Sequence, residues 1–351
     1  MNFASDNWPG AHPAIAQNLL AASTGHYAPY GASDLDRKVA DQISEMFERE
    51  VAAFFVGTGT AANSLSLASA SQVGGVIFCH PEAHIIHHEG GAVEFQTGGA
   101  KLVPAANRTD VQGKIDPESL RHALARFPVG DVHVGQKMAI SISQATEAGT
   151  VYTTDEIAEI AGIAHEAGLI MHMDGARFSN AVARLGCTPA EMTWKAGVDI
   201  LSLGGTKNGC FCAEAVVFFN PDQAKAMPHL RKRGANLFSK SSFIAAQFEA
   251  WLTDRLWLDL ARHANAMAER LADAVRASSR ARLAWETGSN QLFITMSDGI
   301  AAALRAEGAR FYDWDTPRGF EHEVGDGEQI RRFITSYATT EDEIAALAAH
   351  L

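Results

Sequence analysis

Three short stretches carry side chains that could act together on a carbonyl compound. In Asp199-Ile-Leu-Ser-Leu-Gly-Gly-Thr-Lys-Asn-Gly209 an apolar run ends in two glycines, Thr206 and one lysine, Lys207. Alternating apolar residues followed by glycines read as a buried strand entering a tight loop. Ammonium groups are rarely buried without a partner. Apolar or cationic surroundings lower a lysine's pKa and leave an amine that attacks carbonyl carbon. A surface lysine in a glycine-rich turn fits the same window. The second stretch is Gly57-Thr-Gly-Thr-Ala-Ala-Asn63, after the apolar run Ala52-Ala-Phe-Phe-Val56 and before the helix-prone Ser64 to Ser71. A strand, a Gly/Thr turn and a helix N-terminus favour phosphate, through free N–H groups and the helix dipole. The third is Met171-His-Met-Asp-Gly-Ala-Arg177, an apolar run ending in the carboxylate Asp174. Asp174 suits a bound cation or a helix cap.

Alternating strands and helices must position these residues. Strands are expected at Gly75–Cys79, Lys101–Pro104, Lys137–Ser143, Leu169–Asp174, Ile200–Leu203 and Phe211–Phe219. Helices are expected at Asp34–Arg49, Pro117–Arg126, Thr154–Ala167 and Thr188–Ala196. Such alternation predicts an α/β sandwich around a mostly parallel sheet, with ligands at the carboxyl ends of its strands. Residues 1–35 form an irregular arm, helical only near Ile15–Ala22, that must lie against its own domain or a neighbouring subunit. From Ser241 to about Ser278 the pattern is helical almost without a break. The remainder reads as a small α/β piece with strands near Gln291–Met296, Arg310–Trp314 and Arg332–Ser336, closed by a helix capped by Thr339 or Thr340. The expected division is residues 1–245 for the arm and large domain, and 246–351 for the connecting helix and small C-terminal domain.

The chain has 351 residues, 47% apolar and 20% charged, which suits a soluble globular protein with a large core. A net charge of −12 argues against nucleic-acid or anionic-membrane partners. No apolar run is long enough to span a bilayer and no signal-peptide pattern opens the chain, so a cytoplasmic protein is expected. The cysteines Cys79, Cys187, Cys210 and Cys212 read as small buried hydrophobes, with no metal site expected.

Two cofactors compete for these residues. Gly57-x-Gly59-x-x-Ala62, with Glu82 about 20 residues on, fits a dinucleotide fingerprint. That nicotinamide reading leaves Lys207 and Asp174 without a role. Pyridoxal 5′-phosphate uses all three stretches: a helix N-terminus for its phosphate, a lysine for its aldehyde and a carboxylate for its pyridine nitrogen.

The ordered set of motifs resembles the fold-type I pyridoxal-phosphate enzymes, and most closely the L-threonine aldolase / β-eliminating lyase family. To the three stretches above it adds Ser5-Asp6-Asn7, Ala83-His84, Glu89-Gly-Gly-Ala92 and Arg331-Arg-Phe333. The resemblance implies a large domain with a mostly parallel seven-stranded sheet and a small C-terminal α/β domain. Lys207 looks like the lysine that condenses with the cofactor's aldehyde, and Asp174 like the pyridinium partner. Arg177 looks like the cation beside the ring, also within reach of substrate. Gly59, Thr60 and Thr206 resemble cofactor-binding positions, and His84 the imidazole stacked on the ring. Arg332, with Ser5 and Asn7 of the arm, resembles the grip on the substrate carboxylate, a task a guanidinium fork suits. Lys232 or Arg233 resembles a basic residue reaching a neighbouring subunit's phosphate. That implies a homo-oligomer with shared active sites, typically a tetramer. Of the two adjacent arginines, Arg331 is expected at the surface.

The implied reaction is retro-aldol cleavage of L-threonine, L-allo-threonine and other β-hydroxy-α-amino acids such as phenylserine to glycine and an aldehyde. Two positions depart from the family pattern. The turn Gln144-Ala-Thr-Glu-Ala-Gly149 carries Glu147 where many members have histidine, and His88 stands where an aromatic residue is common. Either is a candidate base for the β-hydroxyl, directly or through water. The alternatives are β-elimination or transamination on the same cofactor, a nicotinamide oxidoreductase, or a binding protein without catalysis.

Overall fold

The computed structural model describes residues 1–108, 111–317 and 319–351. Seven strands form the large sheet: β1 (Ala52–Val56), β2 (Gly75–Cys79), β3 (Lys101–Pro104), β4 (Gln136–Ser143), β5 (Ile170–Gly175), β6 (Ile200–Gly204) and β7 (Glu214–Phe218). Their order is β1-β7-β6-β5-β4-β2-β3. β7 pairs antiparallel with both neighbours, and every other pairing is parallel. β2, β6 and β7 are buried along their whole length, as expected for strands covered on both faces.

On one face, the helix Gly59–Ala68 packs Ala61, Ala62 and Leu65 against Val56, Ile200, Val216 and Phe218. On the other, Ile157, Phe178, Phe248 and Trp251 join Met171, Met173, Leu201 and Val217 in the largest core. Alternation along β5 therefore puts Met171 and Met173 in that core and turns His172 and Asp174 towards the Gly59–Ala68 helix. Register sets Ser143 opposite Asp174, and Gly204 opposite Glu214. The chemically active strand ends thus lie along one edge.

A second, antiparallel sheet contains β8 (Ala281–Leu283), β9 (Gln291–Ser297), β10 (Tyr312–Trp314) and β11 (Glu328–Ile334), in the order β10-β11-β9-β8. Its core joins Leu292, Ile294 and Phe333 to Met267 and Leu271 of the helix Leu256–Ala277 and to Phe3 of the arm. Phe3 donates to Arg310 O and accepts from Ile334 N, both at 2.8 Å. The first residues of the arm therefore lie against this chain's own small sheet.

Several boundaries differ from the expectation. The helix expected at Ser64–Ser71 begins at Gly59, because Thr58 caps it by accepting from Ala61 N at 3.1 Å. The long helix at 241–278 is two helices, Ser242–Leu252 and Leu256–Ala277. Asp254 and Arg255 break it with φ of 52° and 58°. The helix expected at Thr188–Ala196 is a capped turn and a 3₁₀ turn, because Thr193 leaves helical geometry at φ −120°, ψ −105°. The strand expected from Phe211 starts at Glu214: the Phe211 and Cys212 N–H groups donate to Gln247 Oε1 at 2.8 and 2.9 Å. Cys212 is therefore not on a strand, and Cys187 and Cys212 are only half-buried, whereas Cys79 and Cys210 are buried as expected. β11 starts four residues before the expected Arg332, where half-buried polar residues hide its pattern, and Thr340 rather than Thr339 caps the last helix. Among the described residues no helix is long and apolar enough to cross a membrane.

Candidate active site

The ends of β1, β4, β5, β6 and the start of β7 surround a cavity of about 620 Å³. Its wall includes Lys207, Thr206, Asp174, Arg177, Gly59 and Thr60. His84, His88 and Glu147 line another side, and Ser5, Asn7 and Arg332 a third. The structure thus gathers twelve of the expected site residues. Lys232 and Arg233 lie elsewhere, exposed at the end of the helix Met227–Arg233, with the Lys232 ammonium 5.4 Å from the Tyr30 ring. Arg231, next to them on the same helix, is buried.

Lys207 stands on a 3₁₀ turn just after β6. The two glycines before it are required by close approach. A Cβ on Gly204 would stand 2.8 Å from Ala176 Cα, and one on Gly205 would stand 2.8 Å from Ala213 O. Burial lowers the Lys207 pKa, and Arg177 adds to this, against the pull of Asp6, Asp174 and Glu214. Among the described residues the Lys207 amine has no hydrogen bond or ion pair. A buried, unpartnered amine with a lowered pKa has the properties that attack on carbonyl carbon requires.

Asp174 is buried at the end of β5. Its Oδ2 accepts from Asn63 Nδ2 at 2.8 Å and its Oδ1 from Ala176 N at 3.0 Å. Beneath it His172 bridges Ser141 Oγ at 2.9 Å and Ser202 Oγ at 3.0 Å. Burial pushes the His172 pKa down to about 4, so this support is neutral.

Arg177 is not free for a ligand in the way expected. Asp6 grips it with two hydrogen bonds, Nε at 2.8 Å and a terminal nitrogen at 3.0 Å. Asn290 adds a third bond to Asp6 at 3.0 Å. Asp6, between Ser5 and Asn7, is a site residue that the sequence reading passed over.

Arg332 has two aromatic companions, Trp314 at 4.8 Å and Tyr312 at 5.7 Å. Its Nε is buried without a partner. Burial and the nearby Arg177 push its pKa down to about 10, so it stays a cation near neutrality. Among the described residues it has no ion pair, and it faces the cavity as an anion-seeking fork. Arg331, expected at the surface, is the buried member, paired with Asp298 and Asp313.

His84 donates its backbone N–H to Glu147 Oε1 at 3.0 Å, and Ser143 Oγ donates to the same oxygen at 2.8 Å. Burial raises the Glu147 pKa, and Asp174 adds to it. The His84 and His88 rings stack with centroids 5.5 Å apart. Burial lowers the His88 pKa, and His84, His87 and Arg332 lower it further. Two more carboxylates had no role assigned from the sequence. Glu89 bonds to His84 and Asn63. Glu214 bonds to Thr206 N at 3.4 Å, and burial raises its pKa to about 7. Glu214 did carry a signal, as a lone carboxylate at the head of the apolar run Glu214–Phe218.

The nicotinamide reading fails on topology. A dinucleotide fold places its glycine-rich turn after a central parallel strand. Here β1 is the edge strand and pairs antiparallel with β7. Glu82 is exposed and does not line the cavity.

Known proteins resemble this chain in sequence and fold. The chain is 41% identical over 347 residues to a low specificity L-threonine aldolase of Pseudomonas aeruginosa, covering 99% of this chain and 95% of the relative. It is 25% identical over 356 residues to the Escherichia coli protein of that name, covering 100% and 98%. The solved structure of Leishmania major threonine aldolase superposes with a TM-score of 0.90 at 30% identity, covering 99% of this chain and 97% of that one. Serine palmitoyltransferase of Sphingomonas wittichii shares the fold alone, at a TM-score of 0.73 and 16% identity over 100% and 86% of the two chains. The model of the beta-eliminating lyase family matches residues 2–298. The chain belongs to the beta-eliminating lyase family.

Proposed function

We propose that this enzyme is a pyridoxal-phosphate-dependent aldolase that cleaves L-threonine, L-allo-threonine and related β-hydroxy-α-amino acids to glycine and an aldehyde. The carrying observation is Lys207, an unpartnered buried amine with a lowered pKa in the same cavity wall as Asp174 and Glu214. The relatives' names support the substrate class.

The residues fit the cofactor. Gly59 begins a helix, and a Cβ there would meet no protein atom within 4 Å, which leaves open space beside free N–H groups. Gly59, Thr60 and Thr206 would hold the phosphate, Asp174 the pyridine nitrogen, His84 the ring face and Lys207 the aldehyde. Bound pyridoxal phosphate supplies an electron sink for the bond that breaks. Arg332 would bind the substrate carboxylate, with Ser5 and Asn7 closing over it. That grip orients the Cα–Cβ bond and leaves the β-hydroxyl towards the His84, His88 and Glu147 side. Arg177 keeps its orientation through Asp6. The amine of Lys207 stays available to release the product.

Assembly and location follow the same reading. Lys232 and Arg233 lie outside their own cavity and are exposed, which suits contact with a neighbouring subunit's phosphate in a homotetramer with shared sites. The enzyme would work in the cytoplasm, with residues 1–245 and 246–351 as its two domains.

Lys207→Ala should lose the visible absorbance of the lysine-bound cofactor together with turnover. The wild type should yield glycine and an aldehyde from threonine, allo-threonine and phenylserine. Ammonia and a keto acid as the products, or an alanine variant with undiminished absorbance and turnover, would overturn the proposal.

A further inference from the structure

Glu89 has no role in the site so far, yet its side chain is wholly shielded, at 0% exposure. A buried carboxylate is costly unless donors face it. Two donors do, and both reach the same oxygen. Asn63 Nδ2 lies 2.8 Å from Oε1, and His84 Nδ1 lies 2.9 Å from it. The other oxygen, Oε2, is buried with no partner. Asn63 gives its second N–H to Asp174. One continuous path, Asp174–Asn63–Glu89–His84, therefore links the carboxylate at the end of β5 to the imidazole.

Burial raises the Glu89 pKa and Asp174 adds to it, against the hydrogen bonds from His84 and Asn63. The ionised carboxylate only accepts, and with it the His84 proton sits on Nδ1. That leaves the lone pair on Nε2. Among the described residues Nε2 has no hydrogen-bond partner, and the His84 side chain is 39% exposed in the cavity wall. Glu147 meanwhile fixes the backbone of the same residue. One carboxylate holds the ring and another holds the chain that carries it.

We propose that Glu89 is a positioning residue: it fixes the His84 proton on Nδ1 and so makes Nε2 the base that accepts the substrate's β-hydroxyl proton. This rests on the aldolase reading. In the step, the β-hydroxyl proton moves to Nε2, and the O–H electron pair becomes the second bond of the departing aldehyde's carbonyl. The Cα–Cβ bond breaks and its electron pair stays with Cα, which is then protonated to give glycine. Overall one proton moves from the β-oxygen to Cα, and none is gained or lost. While the proton rests on His84, Glu89 balances the imidazolium, as a carboxylate does for a catalytic histidine elsewhere.

The other charged groups around His84 suit the task less. His88 stacks on it without a carboxylate of its own, and His87 Nε2 donates to Pro81 O, away from the cavity. Glu147 has one oxygen occupied by Ser143 and the His84 N–H. Glu82 is exposed, Asp174 is held by Asn63 and Ala176, and Arg332 is a cation.

A neutron crystal structure of the full-length wild-type enzyme reads the proton directly, and kinetics of Glu89→Gln read its consequence. The neutron map should show deuterium on Nδ1 at neutral pH. The Gln variant can present an N–H to Nδ1 and force the wrong tautomer. Its kcat for threonine should fall about 10²–10⁴-fold, with KM changed less than about threefold. Glu89→Asp should recover part of the loss. A map with the proton on Nε2 only, or a Gln variant with wild-type kcat, would overturn the role of Glu89. A wild type that shows the Nδ1 proton yet makes no glycine would instead overturn the aldolase reading.

Discussion

Replacing Asp6 with alanine should destabilise the fold by about 3 kcal/mol. The two side chains are nearly enclosed, Asp6 at 1% and Arg177 at 12% exposure. Three hydrogen bonds converge on the carboxylate, at 2.8, 3.0 and 3.0 Å. Deleting one partner of such a pair costs about 3–5 kcal/mol, because the surviving charge is left buried and uncompensated. Arg177 borders the open cavity, so the lower end of that range applies. Unfolding entropy of about 2.1 cal/mol/K per residue amounts to about 0.7 kcal/mol/K over 351 residues. The melting midpoint should therefore fall by about 4 °C.

The pH dependence is a second signature of the same contact. Burial by itself would raise the Asp6 pKa. The charges of Arg177 and Lys207, with hydrogen bonds from Arg177 and Asn290, outweigh it and leave the pKa below the ordinary 3.8. A carboxyl group with a lowered folded-state pKa contributes fully above its unfolded value, and loses that contribution as pH falls through the folded value. The gap between wild type and Asp6→Ala should hold from about pH 7 to pH 5 and narrow below about pH 4. Thermal melts followed by circular dichroism across that range would measure it. Equal midpoints at neutral pH, or a gap unchanged down to about pH 2, would refute the reasoning.

Arg332→Ala should lower kcat/KM for threonine by about 2–3 kcal/mol, or about 30- to 150-fold, with cofactor absorbance retained. A change smaller than about threefold would remove Arg332 from substrate binding. Glu214 has a raised pKa of about 7, against an ordinary 4.5, mainly through burial. A raised carboxyl pKa gives stability that is full below the unfolded value and lost as pH rises through the folded one. Glu214→Gln should therefore melt with less loss between about pH 5 and pH 8 than the wild type, and parallel curves would contradict it.

The order of elements was legible because its signals are local. Gly204 and Gly205 mark the end of β6 for a reason the structure makes explicit: no Cβ fits there. The last helix announced its start through a short-range cap, narrowed to Thr339 or Thr340, whereas the Thr58 cap starts its helix five residues before the expected Ser64. The helix break at Asp254 was hidden because the apolar phase resumes correctly after it, and a left-handed residue other than glycine leaves no mark in composition. Asp6, Asn63 and Glu89 lay inside stretches already singled out, but their work depends on partners 171, 111 and 26 residues away. Spacing along a chain carries no trace of such a bond.

Arg331 and Arg332 show the same limit at a single strand. Adjacent residues on a strand face opposite sides, so one arginine must point where the other does not. The phase is ordinarily read from which neighbours are apolar. Here Ile330, Phe333 and Ile334 are all buried, so the apolar residues occupy both faces and the alternation has no phase to offer. What fixes it comes from other elements. Asp298 at the start of a helix and Asp313 on β10 hold Arg331 inward. Arg332 is thereby turned to Tyr312 and Trp314, where among the described residues no carboxylate pairs with it. Pairing the first arginine is what leaves the second one facing the cavity with its charge unmet, and an unmet guanidinium is the group that a substrate carboxylate would find.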